Sequence, residues 1–229
     1  MKACYSLVCA VLSICLSVPT AAAAEPVTIA SPDGAIRVEV LVNDEGRLCY
    51  WVQRVKGSDT VILNPSALGI TVDGVDLGQG AALGECRRTM IDERYPCRGV
   101  HSEAVNRCHV AQIDVTHAES KMSYVIEMRV FDDGLAYRYV VPGVGQRTIS
   151  GEVSVWNLPR DCQVWYQTNV ANYEGFYAKS LSTRIKVDEQ IGFPVTIQYA
   201  DGTYGAITEA GLLAFSGLTV RAARPSRLK

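Results

Sequence analysis

Short runs in which apolar and polar residues alternate, each closed by an Asp-Gly or similar turn signal, constrain this chain more than any other feature. Ile36, Val38, Val40 and Val42 share one parity, with Arg37 and Glu39 on the other, which is the period of two expected of a strand with one buried face. The alternation returns at Leu68-Ile70-Val72, at Tyr124-Ile126-Met128-Val130 and at Leu135-Tyr137-Tyr139-Val141. Between the runs stand Pro32-Asp33-Gly34, Asp44-Glu45-Gly46, Asp73-Gly74, Asp133-Gly134 and Asp201-Gly202. Asp-Gly suits the positive dihedrals of tight hairpins, so hairpins are expected at 133–134 and 201–202. No stretch sustains a helical period with caps at both ends, and the best candidate, Ser180 to Val187, is too short to organise a fold. Many short strands spaced about 8 to 12 residues apart predict an all-β chain, a large and mostly antiparallel β-sandwich.

Composition narrows the function classes. With 22 Lys and Arg against 24 Asp and Glu, the net charge is -2, so no basic field exists to hold nucleic acid. Residues 1–24 contain one charge, Lys2, then an apolar stretch to Val18, a break at Pro19 and Ala22-Ala23-Ala24. That is the three-part layout of a secretory signal peptide, and it predicts a secreted or periplasmic product. The apolar run is shorter than the roughly 20 residues that span a bilayer, and no later segment is a better candidate, so no membrane span is expected after cleavage. The main domain is then expected over 25–220. Five cysteines remain beyond the leader, Cys49, Cys86, Cys97, Cys108 and Cys162; an odd number leaves at least one thiol unpaired or intermolecular.

Two segments read as irregular. Residues 84–106 mix Arg87, Arg88, Arg94 and Arg98 with Glu85, Asp92, Glu93 and Glu103, the pattern of a long, solvated polar connection in which mixed charge argues against an anion site. The tail 221–229 gathers Arg221, Arg224, Arg227 and Lys229 without an obvious strand pattern.

Chemistry-bearing residues are sparse. His101, His109 and His117 are spaced by eight, which sets neighbours about 26 Å apart along a single strand and argues against a metal trio. No G-x-S-x-G elbow accompanies them. Glu174 stands out because Trp165, Tyr166, Tyr173, Phe176 and Tyr177 surround it. Aromatic faces with an interspersed carboxylate suit a sugar or a hard cation; ordinary β core with an edge carboxylate accounts for the same residues.

The order of several short motifs resembles the N-terminal domain of glycoside hydrolase family 97, a family of α-glucosidases and α-galactosidases. The pieces are Ser31-Pro32-Asp33-Gly34, Leu48-Cys49-Tyr50-Trp51, Pro65-Ser66-Ala67-Leu68-Gly69, and Arg129 through Tyr139 with Phe131-Asp132-Asp133-Gly134 at its centre. Tyr173-Glu174-Gly175-Phe176-Tyr177, Pro194-Val195-Thr196 and Ile207-Thr208-Glu209-Ala210-Gly211-Leu212 follow. The pattern extends over most of residues 29–215 and fades after Leu218.

This resemblance implies a galactose-mutarotase-like supersandwich packed against a catalytic (β/α)8 barrel that acts on an α-linked oligosaccharide or galactoside. It implies a calcium ion shared between the two domains, with Glu174 as the ligand from this side, Tyr173 and Tyr177 near the substrate and Glu209 near the domain interface. The barrel and its catalytic carboxylates are not in this sequence, so the chain alone is expected not to hydrolyse glycosides. Calcium takes six to eight oxygens, so one carboxylate cannot hold it firmly. Two alternatives stay open. One is a free-standing carbohydrate-binding module with Trp165, Tyr173, Phe176 and Tyr177 as its platform, and the other is a truncated, non-functional product with an exposed interface.

Overall fold

In the computed structural model, which describes residues 25–57, 59–172, 174–212 and 217–229, β-strands form nearly all regular structure. In chain order they are β1 (Val27–Ala30), β2 (Ile36–Val42), β3 (Leu48–Arg54), β4 (Thr60–Ala67), β5 (Ile70–Val72) and β6 (Val75–Asp76). Next come β7 (Ala81–Pro96), β8 (Glu103–His117), β9 (Ser123–Phe131), β10 (Leu135–Val140), β11 (Ile149–Glu152) and β12 (Trp156–Asn157). The last six are β13 (Gln163–Gln167), β14 (Ala178–Leu181), β15 (Gln190–Gln198), β16 (Tyr204–Ile207), β17 (Thr219–Arg224) and β18 (Arg227–Leu228). Within the short helical candidate at 180–187, a single 3-10 turn forms at Ser182–Arg184. The expected signal peptide, residues 1–24, lies outside the described residues.

The strands make an 11-stranded sheet in the order β1-β2-β3-β4-β12-β18-β17-β15-β13-β14, with β16 also on β15, a four-stranded sheet β10-β9-β8-β7, and a small sheet β11-β5-β6. Pairing is antiparallel throughout these sheets. The alternation legible in the sequence decides which side faces inward. Val38 and Val40 of β2, Tyr50 and Val52 of β3, Ile113 and Val115 of β8, and Ile126, Met128 and Val130 of β9 join one buried cluster between the sheets. The expected β-sandwich is the fold observed.

The Asp-Gly signals fall at hairpin turns, although Asp133-Gly134 joins β9 to β10 without a positive φ at either residue. Asp73 and Gly74 both have positive φ and connect Val72 to its cross-strand partner Val75, as a tight two-residue hairpin demands. Gly202 at φ +84° turns β15 into β16. The turns of two separate motifs also meet: the backbone N–H of Asp33 donates to Asp132 Oδ1 at 2.8 Å, tying the β1–β2 turn of the large sheet to the β9–β10 turn of the other.

Two segments depart from the sequence expectation. Residues 84–106 are a long ribbon: β7 and β8 pair from Ala81↔His117 out to Pro96↔Glu103. Much of the outer ribbon is exposed on both faces, so its residues carry no in-out alternation. Its charges form cross-strand pairs, Arg87 with Asp114, Arg94 with Glu103 and Arg107 with Asp92. The tail 221–229, expected as irregular, is the β17–β18 hairpin, and β18 pairs onward with β12 through Trp156↔Leu228. Val220, Ala222 and Leu228 point into the core, each no more than 2% exposed. The arginines between them point outward and mask the period.

Candidate functional site

Glu174 stands on the loop that follows β13. Val164 and Tyr166 of that strand face the core, and Gln167 at its end is also buried because its cross-strand partner is Gly192. A Cβ on Gly192 would sit 3.6 Å from Gln167 Cγ and Nε2, so the carboxamide lies in ordinary contact range over that glycine. Beyond it the loop binds itself. Asn169 Nδ2 donates to Asn172 Oδ1 at 2.9 Å, the backbone N–H of Asn172 donates to Asn169 Oδ1 at 3.3 Å, and that of Glu174 donates to Asn172 Oδ1 at 3.2 Å. Gly175 lies close over the same group, with its Cβ position 3.6 Å from Gln167 Oε1. That oxygen is buried and has no hydrogen-bond partner among the described residues, an expensive state for a polar atom.

This loop fits calcium in kind but not in number. Its donors are oxygens, which a hard cation prefers, and an orphaned carboxamide oxygen lies beside Gly175, the neighbour of an exposed carboxylate. The asparagine oxygens are already spent on the loop's own bonds. Among the described residues no group of three or more His, Cys, Asp or Glu gathers in one place, so Glu174 and Gln167 would be a minority of any calcium shell.

A second region lies elsewhere. The sandwich opens into a cleft of about 850 Å³ bounded by Leu135 and Tyr137 of β10, Tyr50 and Val52 of β3, Trp156, and residues 203–211 around β16. Glu209 lines it and accepts a 2.6 Å bond from the backbone N–H of Leu218, closing the excursion between β16 and β17. Glu152 lines it too and accepts from Ser154 Oγ, which in turn meets the Tyr139 hydroxyl at 3.0 Å. Desolvation by the surrounding wall pushes the Glu152 carboxyl above its ordinary range, with the like charge of Glu209 adding to it. Glu127 is the opposite case. Burial works to raise its pKa, but bonds from Gln112, Arg138 and Arg129 outweigh that and hold it below the usual carboxylate range.

The residues singled out in the sequence therefore separate. Glu174 does not line the cleft and Glu209 does, so the two are not brought together. Within the aromatic cluster Tyr166 is core, Trp165 is partly exposed on the opposite face of its strand, Phe176 is fully exposed and Tyr177 is 44% exposed; Tyr173 lies outside the described residues. Gln167 and Glu152 gave no sequence signal: one is a glutamine at a strand end, the other a glutamate in a run of small residues. Only the fold shows that the first is buried and the second faces a cleft wall.

These features define an all-β supersandwich with a candidate ligand-bearing loop at the end of β13. The glycosyl-hydrolase 97 N-terminal family model matches residues 29–228, and the chain belongs to that family. It is 30% identical over 173 residues to a probable retaining α-galactosidase of Streptomyces bingchenggensis, covering 73% of this chain and 25% of that protein. It is 26% identical over 234 residues to the retaining α-galactosidase of Bacteroides thetaiotaomicron, covering 96% of this chain and 33% of that one. In structure it superimposes with a TM-score of 0.78 and 19% identity on a glycoside hydrolase family 97 enzyme from Pseudoalteromonas sp. strain K8 in complex with panose, across 89% of this chain and 31% of that chain. A β-arabinopyranosidase gives the same TM-score at 20% identity, over 88% and 34% of the two chains. The chain thus spans a quarter to a third of the relatives it matches, and the family pattern runs through the hairpin at 219–228.

Proposed function

We propose that this chain acts as the non-catalytic N-terminal domain of a calcium-dependent α-glycosidase, exported to the periplasm or the cell exterior. In this role it packs against a (β/α)8 catalytic barrel and lends that barrel a calcium ligand, Glu174, and part of the pocket wall. The observation that carries the proposal is the orphaned Gln167 oxygen beside Gly175 on the self-bonded loop that presents Glu174. An exposed carboxylate on a braced loop is the kind of oxygen donor that a shared hard-cation site takes from one partner. When bound, the ion supplies charge stabilisation to the reacting glycoside. The chain's own part is to hold Glu174 on a loop braced by Asn169 and Asn172, and to offer Tyr177 and, across the domain face, Glu209 as contacts.

One relative is named a retaining α-galactosidase and another a probable one, which makes an α-galactoside the first substrate to try. The test is a chimera in which residues 25–229 replace the matching domain of the Bacteroides thetaiotaomicron enzyme. Calcium-dependent cleavage of an aryl α-galactoside is the expected result. A folded chimera that is inactive at every calcium concentration, or whose activity ignores chelation, would overturn the proposal.

A further inference from the structure

We infer that the outward face of the strand group β14-β13-β15-β16 is a docking platform for a neutral saccharide chain, separate from the Glu174 loop. Strand register builds it. Gln163 stands opposite Gln198, which stands opposite Tyr204, while Trp165 stands between Lys179 on one side and Thr196 on the other. Residues directly opposite share a face, and the alternate set, including Val164, Val195 and Ile197, fills the core. These six side chains therefore point away from the protein together.

Their chemistry selects the ligand. Trp165 and Tyr204 pair with ring centroids 6.1 Å apart and planes inclined at 36°, and Tyr204 is 59% exposed. This half-buried to exposed aromatic pair is flanked by the amides of Gln163 and Gln198 and the hydroxyl of Thr196. It suits a sugar, whose CH faces stack on rings while its hydroxyls bond to groups that both donate and accept, as Gln163 and Gln198 do. None of the six positions carries a carboxylate. The one cation, Lys179, lies 4.7 Å over the Trp165 ring, a weak and exposed contact that a stacking sugar can displace. With no other charge to match, the ligand is neutral.

Trp165 supplies its own probe. Titration of the full chain with maltohexaose, and in parallel with cellohexaose, should change tryptophan fluorescence saturably for at least one of them. Trp165→Ala and Tyr204→Ala should each weaken binding about tenfold or more, and Tyr204→Phe, which keeps the ring, should restore most of it. Unchanged circular dichroism in each variant separates lost binding from lost fold. A chelator should leave the affinity unchanged. No response to either sugar up to about 10 mM, or binding indifferent to Trp165 and Tyr204, would overturn the inference. So would binding abolished by chelation, which would move the sugar to the calcium loop.

Discussion

Gly78 is a glycine for want of space rather than for its dihedrals, and Gly78→Ala tests how tightly the small sheet is seated on the sandwich. A Cβ at this position would lie 2.2 Å from the carbonyl oxygen of Leu68, 2.7 Å from Gly69 Cα and 2.8 Å from Arg47 Nη1. Ordinary contact begins near 3.4 Å, so the backbone on one side must retreat by more than 1 Å. That backbone is not free to move. The Gly78 carbonyl accepts from the N–H of Leu48, and the N–H of Leu68 donates to the Leu48 carbonyl, both at 2.9 Å. Overpacking strain of about 1–3 kcal/mol and at least one weakened buried hydrogen bond at about 1–3 kcal/mol together give roughly 3–5 kcal/mol. At about 2–4 °C per kcal/mol for a domain of this size, Tm should fall by roughly 6–20 °C. Gly74 is the control. Its φ is +81° but nothing lies within 4 Å of its Cβ position, so Gly74→Ala meets only the left-handed penalty of about 1–2 kcal/mol. Thermal unfolding followed by circular dichroism compares them. A Gly78→Ala Tm no lower than that of Gly74→Ala would refute the close-packing argument.

Two further perturbations follow from the carboxylates. Because the Glu152 pKa is raised in the fold by desolvation, its contribution is fully present below the unfolded carboxylate pKa and is lost as pH rises through the folded value. Glu152→Gln should therefore stabilise the chain at pH 7 and change little at pH 4; equal effects at both pH values would show that its charge is not penalised. Glu127 is 4% exposed and bridges Arg129 and Arg138, so Glu127→Ala should cost about 2–3 kcal/mol in urea unfolding. The arginine side chains are 36% and 63% exposed and can rehydrate, which keeps the loss at the lower end for a buried ion pair. A change below about 0.5 kcal/mol would mark the cluster as ornamental to stability.

The parts of the fold legible in the sequence were those with one wet and one dry face. β2, β9 and β10 alternate because the sandwich buries every second residue, and the Asp-Gly pairs at 73–74 and 201–202 mark turns whose dihedrals few other residues tolerate. The β7–β8 ribbon escaped because much of its outer length is wet on both faces, which removes the period, and its stabilising pairs join residues such as Arg107 and Asp92 that only register brings together. The tail escaped because the inward positions Val220, Ala222 and Leu228 are diluted by arginines. The motif ending in Gly69 was visible, but its cause was not: Gly69 and Gly78 flank the β5–β6 hairpin and pack backbone to backbone, a contact that only the closed hairpin brings about. Glu174 was legible as a carboxylate among aromatics, whereas Gln167 became notable only once its buried oxygen was found without a partner.

The most direct test of the shared calcium site is Glu174→Ala in the chimera that carries this domain on an α-galactosidase barrel, measured as hydrolysis rate against free calcium. A calcium requirement shifted upward by about tenfold or more, the loss expected for one charged ligand of an ion held by six to eight oxygens, with the sandwich still folded, is the predicted outcome. The same calcium curve and the same maximal rate as the parent chimera would remove Glu174 from the site and contradict the proposal that this domain helps hold the ion.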